Sequence, residues 1–291
     1  MPASPSGTTP LTRTSSRIAA ARKLTRRKYR DARRRFLAEG PNAVSAALGR
    51  GGVVRELFAA ADALERHTPL AAAAEQQGAR LNVVTADALA SLSETVTPQG
   101  IIAECEFVDA ALATDSRLVA VLDGVSDPGN AGTILRTADA AGAGAVVFPH
   151  GAVDPYNGKC VRSSAGSLFQ VPVTRGGDTA DHLRRLRDAG LSVLVADAHG
   201  DVDLDDADDL LRRPTAWIFG SEAHGLPEAI AAQANARVRV PIYGAAESLN
   251  LATAAAVCLY ASARQQRLRR TEMSCAMAQM FMRPAGGGLR R

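Results

Sequence analysis

Three short blocks gather the side chains that could do chemistry, each where an apolar run gives way to glycines and a helix begins. The first, LDGVSDPGNAGTILRTADAAG at 122–142, carries Asn130 and, inside an otherwise small and apolar helix, Arg136. An ordinary strand-to-helix turn with Asn130 as N-cap accounts for the Asn and the glycines but not for that Arg. The second, TAWIFGSEAHGLPEAI at 215–230, ends a strand at Gly220 and sets Glu222 beside it, with Pro227 at a helix start. Ser221, Glu222 and His224 invite a hydrolase reading, yet Phe219 and Ala223 fill the glycine positions of a GxSxG elbow, which disfavours a serine nucleophile. The third, VPIYGAAESLNLATAAAVCLY at 240–260, stops a strand at Pro241 and leads through Ser248, Leu249 and Asn250 into an Ala-rich helix. Ser248 reads as its N-cap, so Ser248 and Asn250 stand at a positive helix end able to orient a hydroxyl or a phosphate.

These blocks need a scaffold, and the hydrophobic pattern supplies one. From Leu118 onward, strand-like runs at 118–125, 144–149, 169–174, 191–197, 215–220 and 237–242 alternate with helical stretches opening near Ala131, Gly158, Asp178, Pro227 and Leu249, the last running to Arg267. That order predicts a largely parallel α/β sheet with helices on both faces, in which ligands bind beyond the strand C-termini. Gly124, Gly129 and Gly132 do not fit GxGxxG, so a dinucleotide fingerprint is not supported. Upstream, helices at 41–48, 69–77 and 87–91 interleave with strands at 53–59, 81–85 and 100–108, which predicts a smaller α/β domain. DAALATDSR at 109–117 reads as the linker.

The net charge of +4 conceals an asymmetry: residues 1–35 hold eleven Arg or Lys against Asp31, and 264–291 hold seven Arg against Glu272. An acidic body therefore carries basic ends, and RKLTRRKYRDARRR at 22–35 would attract a polyphosphate through counterion release. Ile18, Ala21, Leu24 and Tyr29 recur at near-helical spacing there, predicting an amphipathic helix from about Ser15 to Phe36 with a cationic face. Residues 1–14, rich in Pro, Ser and Thr, read as a disordered N-terminus, and 271–291 as a tail without clear period.

Cys105, Cys160, Cys258 and Cys275 form no CxxC pair, and the five histidines no HExxH or Cys/His grouping, so no metal is expected. Scattered cysteines beside apolar segments fit reduced thiols, and the opening residues lack the apolar stretch of a secretory signal. A cytoplasmic protein without a membrane span is expected. HGDVDLDDADDLL at 199–211 superficially suggests a calcium loop, but Asp206 replaces the turn glycine and Arg212 the terminal Glu, so it reads as a solvated acidic loop.

Taken together, the three blocks resemble the SpoU (TrmH-like) family of RNA 2′-O-ribose methyltransferases of the SPOUT superfamily. Asn130 through Arg136 matches the first signature, Phe219-Gly220-Ser221-Glu222 with Gly225 the second, and Ser248-Leu249-Asn250 the third. FLAEGPNAVSAAL at 36–48 and TVTPQGIIAEC at 95–105 look like the family's accessory substrate-binding domain, of ribosomal-protein-like α/β fold. The resemblance implies a trefoil-knot methyltransferase domain at 117–270, a basic helix plus RNA-binding domain at 15–110, S-adenosyl-L-methionine as cofactor and a homodimer through the knotted domain. By position, Gly220, Val240 and Leu249 would contact the cofactor, with Arg136, Asn130, Glu222, Ser248 and Asn250 as catalytic residues. A guanidinium has no acceptor, so Arg136 is expected to bind a phosphate and stabilise a developing alkoxide, oriented by the other four. RNA is the implied partner, with 23S ribosomal RNA favoured. A transfer RNA target, or a non-catalytic RNA-binding or ribosome-assembly factor of the same fold, stays open.

Overall fold

The structure, a computed structural model, describes residues 9–281. Strands β1 (Arg35–Glu39), β2 (Val54–Ala59), β3 (Arg80–Val83) and β4 (Ile101–Glu106) form a sheet of order β1-β4-β2-β3. The remaining strands are β5 (Leu118–Leu122), β6 (Ala145–Phe148), β7 (Val173–Arg175), β8 (Ser192–Ala196), β9 (Val202–Asp203), β10 (Thr215–Phe219) and β11 (Ala236–Arg239). They form a second sheet of order β7-β6-β5-β10-β8-β11-β9, parallel throughout. Every residue of β5, β6 and β10 is buried, as a sheet covered on both faces requires.

The strand order carries a topological consequence. β11 lies between β8 and β9, which follow one another in sequence, so the connection after β8 passes around a strand made later. Gly200 sits where the two cross: a Cβ there would stand 2.7 Å from the Arg237 backbone. Beyond β11 the chain turns back, and the Leu251–Phe281 helix packs on the Pro128–Ala141 helix and on β10. There Trp217 Nε1 donates to Ser262 Oγ at 2.9 Å in a buried bond. This is the knotted α/β domain that the family resemblance implied, an exception to the ordinary rule against threaded loops.

One core joins the two sheets, and each sheet also buries its other face in a cluster of its own. A single cluster runs from Phe36 and Val44 to Leu122, Trp217 and Leu259, and Phe36 packs on Tyr156 and Phe169 at ring separations of 4.7 and 5.8 Å. The 109–117 stretch is correspondingly no loose linker. Leu112 is buried on the far face of the large sheet, and Ala110 N donates to Val173 O at 2.8 Å.

The basic segment departs most from expectation. Instead of one helix over 15–36 it forms Ser16–Arg22, a 3-10 turn at Lys23–Thr25, Arg27–Arg33 and then β1. The break is paid for by Arg30, an apparent surface cation that is buried. Its guanidinium binds Asp154 at 2.9 and 2.8 Å and donates to the carbonyls of Leu24 and Thr25, the residues at the turn. Residues 9–14 are likewise not untethered: Leu11 N donates to Val83 O, and Thr85 N to Leu11 O. Residues 1–8 of the expected disordered N-terminus and 282–291 of the tail lie outside the described residues. Other differences are of extent: the last helix continues to Phe281, the helix after Pro227 is only Glu228–Ala231, and FQVPVT shrinks to β7 because Ser167–Phe169 take a 3-10 turn.

Arg30→Met leaves the Asp154 carboxylate buried and unpaired, and urea unfolding should show a loss of about 3–5 kcal/mol. Arg30→Met with Asp154→Leu should recover most of it.

Candidate active site

In the large sheet Leu122 of β5 stands opposite Phe219 of β10, so the loops leaving the two strands emerge side by side. Ser221 and Gly225 exchange backbone hydrogen bonds of 3.0 and 2.9 Å, closing the second loop into a tight turn. Only glycine fits at 220, where a Cβ would stand 2.6 Å from the Gly225 backbone.

That turn aims Glu222 at the start of the Pro128–Ala141 helix. Its carboxylate accepts hydrogen bonds from Ser126 N (3.3 Å), Ser126 Oγ (3.2 Å), Asp127 N (3.4 Å) and Asn130 Nδ2 (3.0 Å). Asn130 Oδ1 in turn accepts from Asn250 Nδ2 at 3.1 Å. The three blocks, far apart in sequence, thus meet through their side chains. Partial burial pushes the Glu222 pKa up, but donation from Asn130, from its own N–H and from Ser126 and Asp127 outweighs it and holds the carboxyl below the usual range.

Both helix caps differ from the sequence reading. The Pro128–Ala141 helix is capped by Asp127, whose Oδ1 accepts from Asn130 N at 2.8 Å, and Asn250 caps the last helix, accepting from Ala252 N at 2.9 Å and Thr253 N at 3.3 Å. With Asp127 as cap, the Asn130 amide is free to bridge Glu222 and Asn250. Asp127 is held in turn by Lys159 Nζ at 2.7 Å, which, with the Asn130 N–H, keeps its carboxyl below the usual range.

A cleft of ≈ 340 Å³ opens beside this network, within the size range of small-molecule sites. Glu222, Val240, Ser248, Leu249 and Asn250 line it. Gly220 is buried behind Ser221 and is not part of its wall. The sequence reading missed Asp197, Ile242 and Glu247 in the lining, and Ser126 and Asp127 in the network. Asp197 carried a legible signal, a carboxylate ending the apolar run LSVLVAD at a strand C-terminus. Val238, Val240, Leu249 and Ala254 offer apolar surface for a planar heterocycle, while Asp197, Glu222 and Glu247 offer charge for cationic groups.

Arg136 stands apart. It is exposed, six residues beyond Asn130 on the same helix, about 9 Å along the axis and about 120° around it. No described residue gives it a hydrogen bond or ion pair, so the expected socket of Asn130, Glu222, Ser248 and Asn250 does not hold it within one chain.

Residues 117–260 match the SpoU rRNA Methylase family, and residues 15–103 match the MRM3-like substrate binding domain. The 23S rRNA (guanosine(2553)-2′-O)-methyltransferase RlmP of Bacillus subtilis is 36% identical over 239 residues, covering 82% of this chain and 92% of the relative. The 23S rRNA (uridine(2479)-2′-O)-methyltransferase of Streptomyces viridochromogenes is 36% identical over 195 residues, 64% of this chain and 67% of that protein. Among solved structures, the AdoMet-bound rRNA methyltransferase of Sinorhizobium meliloti superposes with TM-score 0.75 at 32% identity, covering 86% of this chain and 95% of that one.

Because the Glu222 pKa is depressed in the folded chain, its stabilising bonds are fully present above the ordinary glutamate value of about 4.3 and are lost as pH falls through the depressed one. The stability gap between the wild type and Glu222→Gln should be constant above about pH 5 and close below it. A gap independent of pH, measured by urea unfolding, would contradict the assignment.

Proposed function

The chain belongs to the SpoU rRNA methylase family, and from that premise we propose that it transfers a methyl group from S-adenosylmethionine to a ribose 2′-hydroxyl of 23S ribosomal RNA. The observation that carries this reading is the junction of Asn130, Glu222 and Asn250 by direct hydrogen bonds at the rim of a cleft of suitable chemistry.

S-adenosylmethionine supplies a methyl carbon already activated by the adjoining sulfonium. The cleft residues fit it: Val240 and Leu249 would hold its heterocycle, and the cleft carboxylates would accept its cationic groups. The protein must then align the 2′-hydroxyl and help it lose its proton, and alignment alone contributes up to about 7–11 kcal/mol in favourable systems. Ser248, at the mouth of the cleft, and Asn250, at the positive end of the last helix, orient the hydroxyl. Glu222 is a positioning group, since a carboxylate with a depressed pKa and four donors is a weak base. Arg136, free of any described anionic partner and apart from the network of its own chain, acts at the site of a second copy, where it takes the phosphate next to the target ribose and stabilises the alkoxide as it forms.

A homodimer through the knotted domain accords with the surface of the last helix. Val257, Tyr260 and Leu268, 39%, 51% and 44% exposed, recur along one stripe of it. A ribosomal substrate accords with a cytoplasmic enzyme; no described helix is long and apolar enough to cross a membrane.

The direct test is incubation of the purified protein with methyl-labelled S-adenosylmethionine and unmethylated 23S rRNA, followed by nucleoside mass spectrometry. Label should appear as one 2′-O-methylnucleoside; label on a base, or none, would sink the reading. In the same assay Arg136→Ala should lower kcat/KM by about 10²-fold or more. Arg136→Lys should restore only a small part, because an ammonium lacks the bidentate fork that grips phosphate. Full rescue by Lys would remove the proposed role.

A further inference from the structure

The cofactor cleft is the first of three hollows in a row. Ser221, in its wall, also lines a second hollow of ≈ 290 Å³ at the C-terminal ends of β5, β6 and β10, walled by Asp123, His150 and His224. His150 in turn lines a third, of ≈ 400 Å³, bounded by Arg27 and Arg34 of the basic segment and by Arg175. The three hollows therefore adjoin, each sharing a wall residue with the next, and form a trough along the strand ends from the cleft to Arg27 and Arg34.

The charge of the third hollow selects the occupant. The acids around the third hollow are already matched: Asp31 binds Arg175 at 2.7 Å, Asp109 binds Arg34 at 2.8 Å and Asp154 binds Arg30 at 2.8 Å. Arg27 leaves that cluster with four guanidiniums to three carboxylates, and its own contact with Asp31 is long, at 3.6 Å, and exposed. On the same segment Lys23, Arg26 and Lys28 are exposed and form no ion pair among the described residues. These cations do not ride on a loose arm, because the buried Arg30–Asp154 pair fixes the segment to the loop after β6, at the strand ends. Two imidazoles in a hollow beside the reacting centre, followed by fixed cations, suit an unstacked base followed by phosphates.

We propose that this trough holds the single-stranded RNA flanking the target nucleotide, one base lying against His150 and His224 and the following phosphates crossing Arg27 and Arg34 onto the basic segment. The proposal rests on the ribose-methylation reading and adds to it a path for the substrate.

The test uses the full chain and unmethylated 23S rRNA transcript, and wild-type methylation is established first. If the wild type binds S-adenosylmethionine but methylates no ribose, the parent reading falls; the trough is judged on an active wild type. His150→Ala with His224→Ala should raise KM for RNA about tenfold while the Kd for S-adenosylmethionine and the melting temperature stay unchanged. Arg26→Gln with Lys28→Gln should lower the slope of log affinity against log salt by about 1.4, two single-strand phosphate contacts. Ultraviolet cross-links from the transcript should fall within 22–34, 149–151 and 221–227. Unchanged KM and salt slope, cross-links confined to other surfaces, or an equal loss of cofactor affinity in the histidine variant would each overturn it.

Discussion

The candidate active site depends on one carboxylate. Glu222 leaves the end of β10 and accepts four donors from the turn that opens the Pro128–Ala141 helix, so a strand end and a helix start more than ninety residues apart in sequence share one position. Hydrogen bonds to a charged acceptor are worth about 1.5–3 kcal/mol when protected from water and less at an exposed rim such as this. Their larger effect is geometric, because each bond fixes a different atom of the turn. Asn130, held on one side by Glu222, holds Asn250 on the other, and Asn250 caps the helix that leaves the knot. Through these bonds the carboxylate ties all three blocks together.

The knot makes that arrangement possible. In an unthreaded doubly wound sheet, the chain after β11 would be free to leave the edge. Here the connection after β8 encloses β11, and the returning chain brings Ser248 and Asn250 back to the ends of β8 and β10, where the cleft forms. Part of the cleft wall is thus the 240–250 loop, which runs from β11 to the last helix.

Much of this was legible in the sequence because strand ends in parallel sheets announce themselves: a fully apolar run, then glycine, then a polar residue. LVAVLDG and TAWIFGSE gave their strands within a few residues, and Glu222, Val240, Ser248, Leu249 and Asn250 do line one cleft. The caps were misread because capping is a competition among neighbours. Asp127 takes the Asn130 N–H, and Asn250 rather than Ser248 reaches the first free amides, choices set by a residue or two of backbone. β1 was missed because its alternation, Phe36 and Ala38 inward and Arg35, Leu37 and Glu39 less buried, begins inside a run of arginines. Nor could a pattern foretell that Arg30, one cation among eleven, would be buried on Asp154, a partner 124 residues away.

The central claim is that Glu222, Asn130 and Asn250 act as one unit. It is tested most directly by a double-mutant cycle on the methyl-transfer kcat with Glu222→Ala and Asn250→Ala. A shared network should make the double variant about as slow as the slower single variant, a coupling of roughly 0.5–3 kcal/mol. Effects that add to within about 0.5 kcal/mol would show two independent residues and contradict the account.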